Sequence, residues 1–216
     1  MVATEPPNNI DSVSETTTSV RPVRIFVALR IAPEIALELA QYSRGLQQFS
    51  VRLVAPADIH LTLVPLWNEF STPDTVEKLR CVADRFFPFT LTFRHIGYGP
   101  EPRRPRFLWA ECAASKEIAE LHAALHQAFG PADERSFRPH VTLARLRDKG
   151  RAIARKHPVD QDLAFMQRVD SVELMQSPLP VGADTRCLCH CRWVRIGDLC
   201  RGREVFRRPL PSMSRR

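Results

Sequence analysis

The chain has 216 residues, of which 44% are hydrophobic and 25% are charged, a balance typical of a globular domain and not of a disordered or fibrous chain. No apolar run approaches the roughly 20 residues that a membrane helix needs, so we expect no membrane span. The formal net charge of +7 favours a polyanionic partner such as a nucleic acid, although a mildly basic protein without such a partner is the alternative.

The two ends differ in composition from the rest of the chain. Residues 1–21 are rich in Ser, Thr, Pro and Asn and predict a disordered leader, not a signal peptide. Residues 195–216 carry seven arginines and predict a basic extension that attracts RNA without sequence preference. One domain therefore occupies residues 22–194. Since no secretory signal precedes the six cysteines, we expect free thiols and a cytoplasmic location.

The first half of the domain alternates extended and helical patterns. Residues 21–31 alternate as a strand does, and residues 32–48 then place apolar side chains at helical spacing. Residues 51–67 read as two short extended runs. Residues 71–87 predict a second helix, with Ser71 or Thr72 at its N-cap and a proline in the first turn.

The second half repeats this alternation. Strands are predicted at 89–99 and 106–114, joined by a loop rich in Pro and Arg. A third helix follows at 115–130, and residues 136–146 predict another strand. The stretch at 148–162 is ambiguous, and two further strands are predicted at 165–177 and 183–194.

The sequence His-x-Thr-Leu occurs twice, at 60–63 and 140–143, each time inside an apolar run. In a strand, residues i and i+2 point to the same face, so each motif presents an imidazole beside a hydroxyl. If the two strands face each other, four polar groups converge on one cleft. Because helix, extended run and motif recur in this order, we expect two related halves in an α+β fold with mostly antiparallel sheets and outer helices.

Such a cleft suits phosphodiester chemistry. Imidazole has an ordinary pKa of about 6.5 and serves as acid or base near neutral pH. His60 and His140 would move protons, and the hydroxyls of Thr62 and Thr142 would hydrogen-bond the phosphate oxygens. The scheme needs neither metal nor cofactor. A single motif of this kind is more often an ordinary surface or core histidine, and it is the second copy that favours catalysis.

The chain resembles the two-histidine phosphoesterase superfamily, and within it the RNA 2',3'-cyclic phosphodiesterases, also called LigT-like proteins or 2'-5' RNA ligases. The resemblance covers roughly residues 22–194 and is carried by these segments: RIFVAL (24–29), HLTL (60–63), RFLWAE (106–111), FRPHVTLARLR (137–147), SVELMQSPL (171–179) and GADTRCLCHCRW (182–193). It implies a bilobal, pseudo-symmetric fold in which the two motifs lie across a central groove.

The resemblance also implies a function. The expected reaction is hydrolysis of RNA 2',3'-cyclic phosphate ends to 2'-phosphates, with 2'-5' ligation as the reverse direction. His60 would donate a proton to the leaving 3' oxygen, His140 would accept one from water, and Thr62 and Thr142 would hold the phosphate. We expect a monomer. From the residues alone, the two histidines look alike and their roles remain interchangeable.

Two departures from the family, in the segment after the first motif and in the tail after residue 196, leave room for a different substrate. The family usually has KFLGE or a similar sequence after the first motif, whereas this chain has VPLWNE at 64–69, with Pro65 and Trp67 near the end of the strand. A second hypothesis keeps the same site but has a small cyclic nucleotide or a 2'-5'-linked oligonucleotide as the substrate. A third hypothesis is an RNA-binding module without turnover, although all four motif residues are intact.

Several further residues are candidates for the site. Arg145 is expected to continue the face of His140 and Thr142 and to bind phosphate or the next nucleotide, with a solvated strand-end arginine as the alternative. Phe26 and Trp109 are candidates for stacking on a base, although core packing is the better interpretation.

Other polar groups have simpler explanations. The loop arginines at 103, 104 and 106 either grip an RNA backbone or are merely exposed. His122 and His126 lie four residues apart on one helix face, but no third metal ligand is evident. The alternating cysteines at 187, 189 and 191 do not have the usual zinc spacing and predict small buried thiols.

Overall fold

In the computed structural model, the described residues are 22–101, 103–130, 136–147 and 150–177, together with the backbone of 192–195. The predicted leader at 1–21 lies outside them. So do the basic extension beyond residue 195 and the three alternating cysteines. No helix within the described ranges is both long and apolar enough to cross a membrane.

The described residues form ten strands and four helices. The strands are β1 Val23–Arg30, β2 Arg52–Leu53, β3 His60–Glu69, β4 Phe89–Gly99, β5 Phe107–Cys112, β6 His140–Arg145, β7 Gln161–Asp162, β8 Met166–Val169, β9 Ser171–Gln176 and β10 Arg192–Arg195. The helices are α1 Pro33–Gln41, α2 Thr72–Ala83, α3 Lys116–Phe129 and α4 Gly150–Lys156. Short 3-10 turns lie at Arg44–Gln48 and Pro56–Asp58.

The strands form an antiparallel sheet with an internal pseudo-twofold relation. The main strand order is β10-β9-β1-β3-β6-β5-β4-β7, with β2 pairing with β6 and β8 with β4. Each half has the order strand, helix, strand, helix, strand: β1-α1-β3-α2-β4 is followed by β5-α3-β6-α4-β9. Exchanging the halves reverses the central order β9-β1-β3-β6-β5-β4, so the predicted α+β class and pseudo-symmetry are confirmed.

The two faces of the sheet have different roles. Alternate side chains of β1, such as Ile25, Val27 and Leu29, enter a large core that also holds buried side chains from all four helices. The opposite face of β1 presents Phe26 and Ala28, which form a separate small cluster with Met175 of β9. Helices therefore cover one face, and we call the other the site face.

Three segments differ from the sequence-based expectation. The helix predicted at 32–48 ends at Gln41, where the Ser43 hydroxyl donates to the Ala40 carbonyl. Gly45 lies there against the His157 ring, at a place where a Cβ atom would come within 2.3 Å of the ring. The strand predicted at 165–177 is two strands with different partners, because β8 pairs with β4 and β9 pairs with β1. The ambiguous stretch 148–162 holds α4 and β7.

Candidate active site

The two His-x-Thr motifs lie side by side on neighbouring strands. β3 and β6 pair antiparallel with Leu61 opposite Val141. This register places His60 across from Thr142 and Thr62 across from His140, because neighbours in an antiparallel pair run in opposite directions. The leucine and valine between them are buried in the helix-side core, so the four polar groups share the site face. The expected convergence therefore arises from direct strand pairing.

Each histidine ring is held by the same local hydrogen bond. Nδ1 of His60 lies 2.7 Å from the carbonyl oxygen of Asp58, and Nδ1 of His140 lies 2.7 Å from that of Arg138. A carbonyl only accepts, so Nδ1 donates in both rings and carries the hydrogen. Nε2 of each imidazole is consequently the atom available for proton transfer.

The surroundings lower the pKa of both rings. Burial is the main cause for His60 and for His140, because removal from water disfavours the charged imidazolium. The carbonyl hydrogen bonds act in the opposite direction in both cases. Among nearby charges, Arg145 lowers the pKa of His60 further and Glu111 raises that of His140.

An aromatic side chain packs against each imidazole. The Phe26 ring lies 5.0 Å from that of His60, and the Trp109 ring lies 4.4 Å from that of His140. Phe26 is 8% exposed and Trp109 is 4% exposed. The structure therefore agrees with core packing and not with base stacking for both residues, and their packing fixes the catalytic candidates in place.

A β-bulge decides where Arg145 lies. Strict alternation after Thr142 would send this residue to the helix face. However, Trp109 pairs with Thr142 and Leu108 with Ala144, so Leu143 is an extra residue in β6. The bulge inverts the alternation, Arg145 is exposed between two buried residues, and its charge acts on His60. Arg145 thus shares the site face, for a reason that the sequence did not reveal.

Two ion pairs at the site were missed by the sequence reasoning. Arg30 is opposite His60 in the sheet and makes two hydrogen bonds, of 2.9 and 3.0 Å, to Glu173, which is wholly buried. Glu111 is opposite His140, and Arg138 donates to it at 3.0 Å. Arg30 and Glu111 occupy equivalent positions in the two halves but carry opposite charges. Nothing local in the sequence marks them, because only the cross-strand register brings them to the histidines.

A small cavity adjoins the second motif. It has a volume of about 190 Å³ and is lined by Trp109, Glu111, Arg138, Pro139 and His140, among others. The Arg138 guanidinium lies 5.3 Å from the centre of the Trp109 ring. The cavity therefore offers both charge and space beside the His140 side chain.

In the unusual segment at 64–69, after the first motif, Trp67 lies away from the site and Pro65 lies on the site face. Trp67 stacks on Phe129 of α3, with 5.6 Å between ring centres, and donates a hydrogen bond to Glu69. This tryptophan therefore packs against the helix layer. Pro65 is exposed and follows a second bulge, in which Leu63 is the extra residue of β3. Pro65 is thus the positional counterpart of Arg145.

The remaining candidates lie elsewhere. The rings of His122 and His126 stack on each other at 5.5 Å, and His122 stacks on Phe137. Within the described ranges, no group of three or more potential metal ligands comes together. Arg103 and Arg104 are exposed in the loop before β5.

Comparison with known proteins identifies the family. A model of the 2'-5' RNA ligase superfamily matches residues 31–178. The chain belongs to this superfamily. Two curated relatives are RNA 2',3'-cyclic phosphodiesterases: that of Aquifex aeolicus is 27% identical over 135 residues, and that of Archaeoglobus fulgidus is 26% identical over 141 residues. These alignments cover 58% and 61% of this chain, and 65% and 77% of the relatives.

Solved structures of other proteins share the fold. TT0787 of Thermus thermophilus superposes with a TM-score of 0.63 at 22% identity, over 81% of this chain and 98% of that one. E. coli LigT complexed with NADP+ gives a TM-score of 0.57 at 24% identity, over 81% and 95%. The pseudo-symmetric α+β architecture is therefore shared with these solved structures.

Proposed function

We propose that this protein hydrolyses RNA 2',3'-cyclic phosphate ends to 2'-phosphates by acid-base catalysis between His60 and His140. The observation that carries the proposal is the matched pair of imidazoles, each with Nδ1 bound to a backbone carbonyl at 2.7 Å. Both rings thus offer Nε2 on one face, beside two threonine hydroxyls. The Aquifex aeolicus and Archaeoglobus fulgidus relatives, both RNA 2',3'-cyclic phosphodiesterases, support the same substrate.

The proposed step uses each motif residue once. Nε2 of His140 accepts a proton from water as the water oxygen bonds to phosphorus. The bond from phosphorus to O3' breaks, and His60 donates its proton to that oxygen, leaving the phosphate on O2'. Thr62 and Thr142 donate hydrogen bonds to the non-bridging oxygens and stabilise the charge that grows on them. No step requires a metal.

The same chemistry accommodates ligation. If the 5'-hydroxyl of a second RNA replaces water as the nucleophile, loss of O3' leaves a 2'-5' phosphodiester. We include this activity in the proposal because the superfamily carries it in its name. The cavity beside His140 offers space for the incoming nucleophile. A monomeric state and a cytoplasmic location remain predictions from the sequence.

A panel of substrates tests the proposal against its alternatives. The wild-type protein is incubated with EDTA and a short RNA ending in a 2',3'-cyclic phosphate, a 2',3'-cyclic mononucleotide, a 3',5'-cyclic mononucleotide and a 2'-5'-linked dinucleotide. We expect hydrolysis of the RNA end with a 2'-phosphate product. Turnover of only a small cyclic nucleotide, or of only the 2'-5' linkage, would show that this compound and not the RNA end is the substrate. Binding of RNA with no turnover of any member would favour the non-catalytic module.

A further inference from the structure

A row of side chains with positive charge crosses three strands beside the first motif. Arg52 of β2 is directly opposite Arg145 of β6, which is directly opposite Phe107 of β5. Residues opposite each other in an antiparallel sheet share a face, and adjacent strands lie about 4.8 Å apart, so the row spans roughly 10 Å. We call Arg52, Arg145, Phe107 and the adjoining Arg106 the basic row.

The basic row begins at the reaction site. The bulge at Leu143 places Arg145 on the site face. Burial is the main cause of the lowered pKa of His60, and the positive charge of Arg145 lowers that pKa further, so Arg145 acts on the first histidine. A polyanion bound along the row would therefore lead directly to the proposed phosphate position.

The cations of the row are not neutralised within the described part of the chain. Arg52, Arg106 and Arg145 are all exposed, and no carboxylate among the described residues forms an ion pair with them. The guanidinium groups of Arg106 and Arg145 lie 5.7 and 5.5 Å from the centre of the Phe107 ring. Like charges directly opposite each other destabilise a sheet, so the arrangement has a cost that an anionic ligand would remove.

Among the described residues, the other half of the molecule has no equivalent row. The counterpart of Arg145 there is Pro65, which carries no charge. At the far end of the site, Glu111 is opposite His140 and is paired with Arg138 at 3.0 Å. The pseudo-twofold relation would by itself allow a substrate to bind in two orientations. The charge therefore distinguishes the side of His60 from the side of His140.

We propose that the basic row binds the phosphodiester backbone of the nucleotides that precede the reacting end, so that the preferred substrate is an oligoribonucleotide and not a mononucleotide. This inference rests on the proposed function, because it extends that site. Guanidinium groups suit the role, since they bind phosphate oxygens in a fixed planar geometry. The half-exposed Phe107 between two of them offers a surface for a base.

The test removes the outer arginines and keeps Arg145, which belongs to the site itself. The variants are R52Q, R106Q and R52Q/R106Q, and the matched control is R85Q, an exposed arginine that follows α2. Binding of a fluorescent ten-nucleotide RNA with a 3'-hydroxyl end is measured by anisotropy from 0.05 to 1 M salt. Hydrolysis of a 2',3'-cyclic mononucleotide and of a ten-nucleotide RNA with a cyclic end is measured in parallel.

We expect the salt slope of binding to fall by about 1.4 in the double variant, since each phosphate contact to a single strand contributes about 0.7. If wild type and double variant bind equally at 1 M salt, this difference in slope over the tenfold drop to 0.1 M leaves the double variant with about 25-fold lower affinity than wild type. We expect kcat/KM for the ten-nucleotide substrate to fall in step, while the mononucleotide rate stays within about twofold of wild type. R85Q should match wild type throughout.

The two proposals fail in different ways. An unchanged salt slope in R52Q/R106Q, or equal losses on the RNA and the mononucleotide, would overturn the basic row. A wild-type protein that hydrolyses neither substrate would overturn the proposed reaction. In that case the binding slopes would still decide whether the row holds RNA.

Discussion

The buried ion pair beside His60 gives an asymmetric prediction about stability. Glu173 is wholly buried, whereas the side chain of Arg30 is 34% exposed, and two hydrogen bonds join them. Arg30→Met leaves a carboxylate inside the protein without its partner, which costs about 3–5 kcal/mol. Glu173→Gln leaves a guanidinium that water still reaches, and the amide oxygen still accepts a hydrogen bond, so we expect about 1–2 kcal/mol.

Urea unfolding at pH 7 measures both free energies of unfolding, and the double variant R30M/E173Q completes the cycle. We expect the double variant to lose less stability than the sum of the two single variants, because it leaves no unpaired buried carboxylate. A larger loss of stability in E173Q than in R30M, or two losses that simply add in the double variant, would contradict this prediction. Glu173 also raises the pKa of His60, so E173Q should displace the pH-rate profile to lower pH in the same preparation.

Three further predictions concern the site. Burial lowers the pKa of both histidines, so as the pH rises the acidic histidine loses its proton at a lower pH than an ordinary imidazole would. We therefore expect kcat/KM to peak below about pH 6.5 and to fall as the pH rises further. A kcat/KM that climbs to pH 8 would contradict this. Thr142→Ala should lower kcat by about 10²–10³-fold and Thr142→Ser should restore much of it, because the hydroxyl is the active group; equal losses in steady-state assays would exclude that role. Trp109→Ala should cost about 3–5 kcal/mol in thermal or urea unfolding by leaving a cavity behind the His140 ring, and a loss below about 1 kcal/mol would show that the packing is unimportant.

The sequence predicted those parts of the fold that depend on local pattern. Helices α2 and α3 have regular apolar spacing and clear ends, and their predicted ranges overlap the observed ones closely. The repeated His-x-Thr-Leu placed both motifs on strands and indicated the two halves. Local alternation is enough for these features, because side-chain direction follows directly from the period of a strand or a helix.

The features that were missed depend on long-range register. Glu173 reaches Arg30 across 143 positions in the sequence, and no pattern within β1 or β9 indicates that contact. The segment 165–177 alternates like one strand, yet it changes partner at Asp170, because β8 and β9 join opposite ends of the sheet. Arg145 was placed on the correct face although strict alternation would have put it on the other, and only the bulge at Leu143 explains its position.

The measurement that tests the account most directly compares wild type with His60→Ala, His140→Ala and the double variant on a short RNA ending in a 2',3'-cyclic phosphate, with EDTA present and folding checked by circular dichroism. Two groups that act as one unit lose nearly all activity when either is removed, and the second removal adds little. We therefore predict a 2'-phosphate product from wild type and near-total loss in all three variants. Substantial turnover by either folded single variant, or loss of wild-type activity in EDTA, would contradict the two-histidine mechanism.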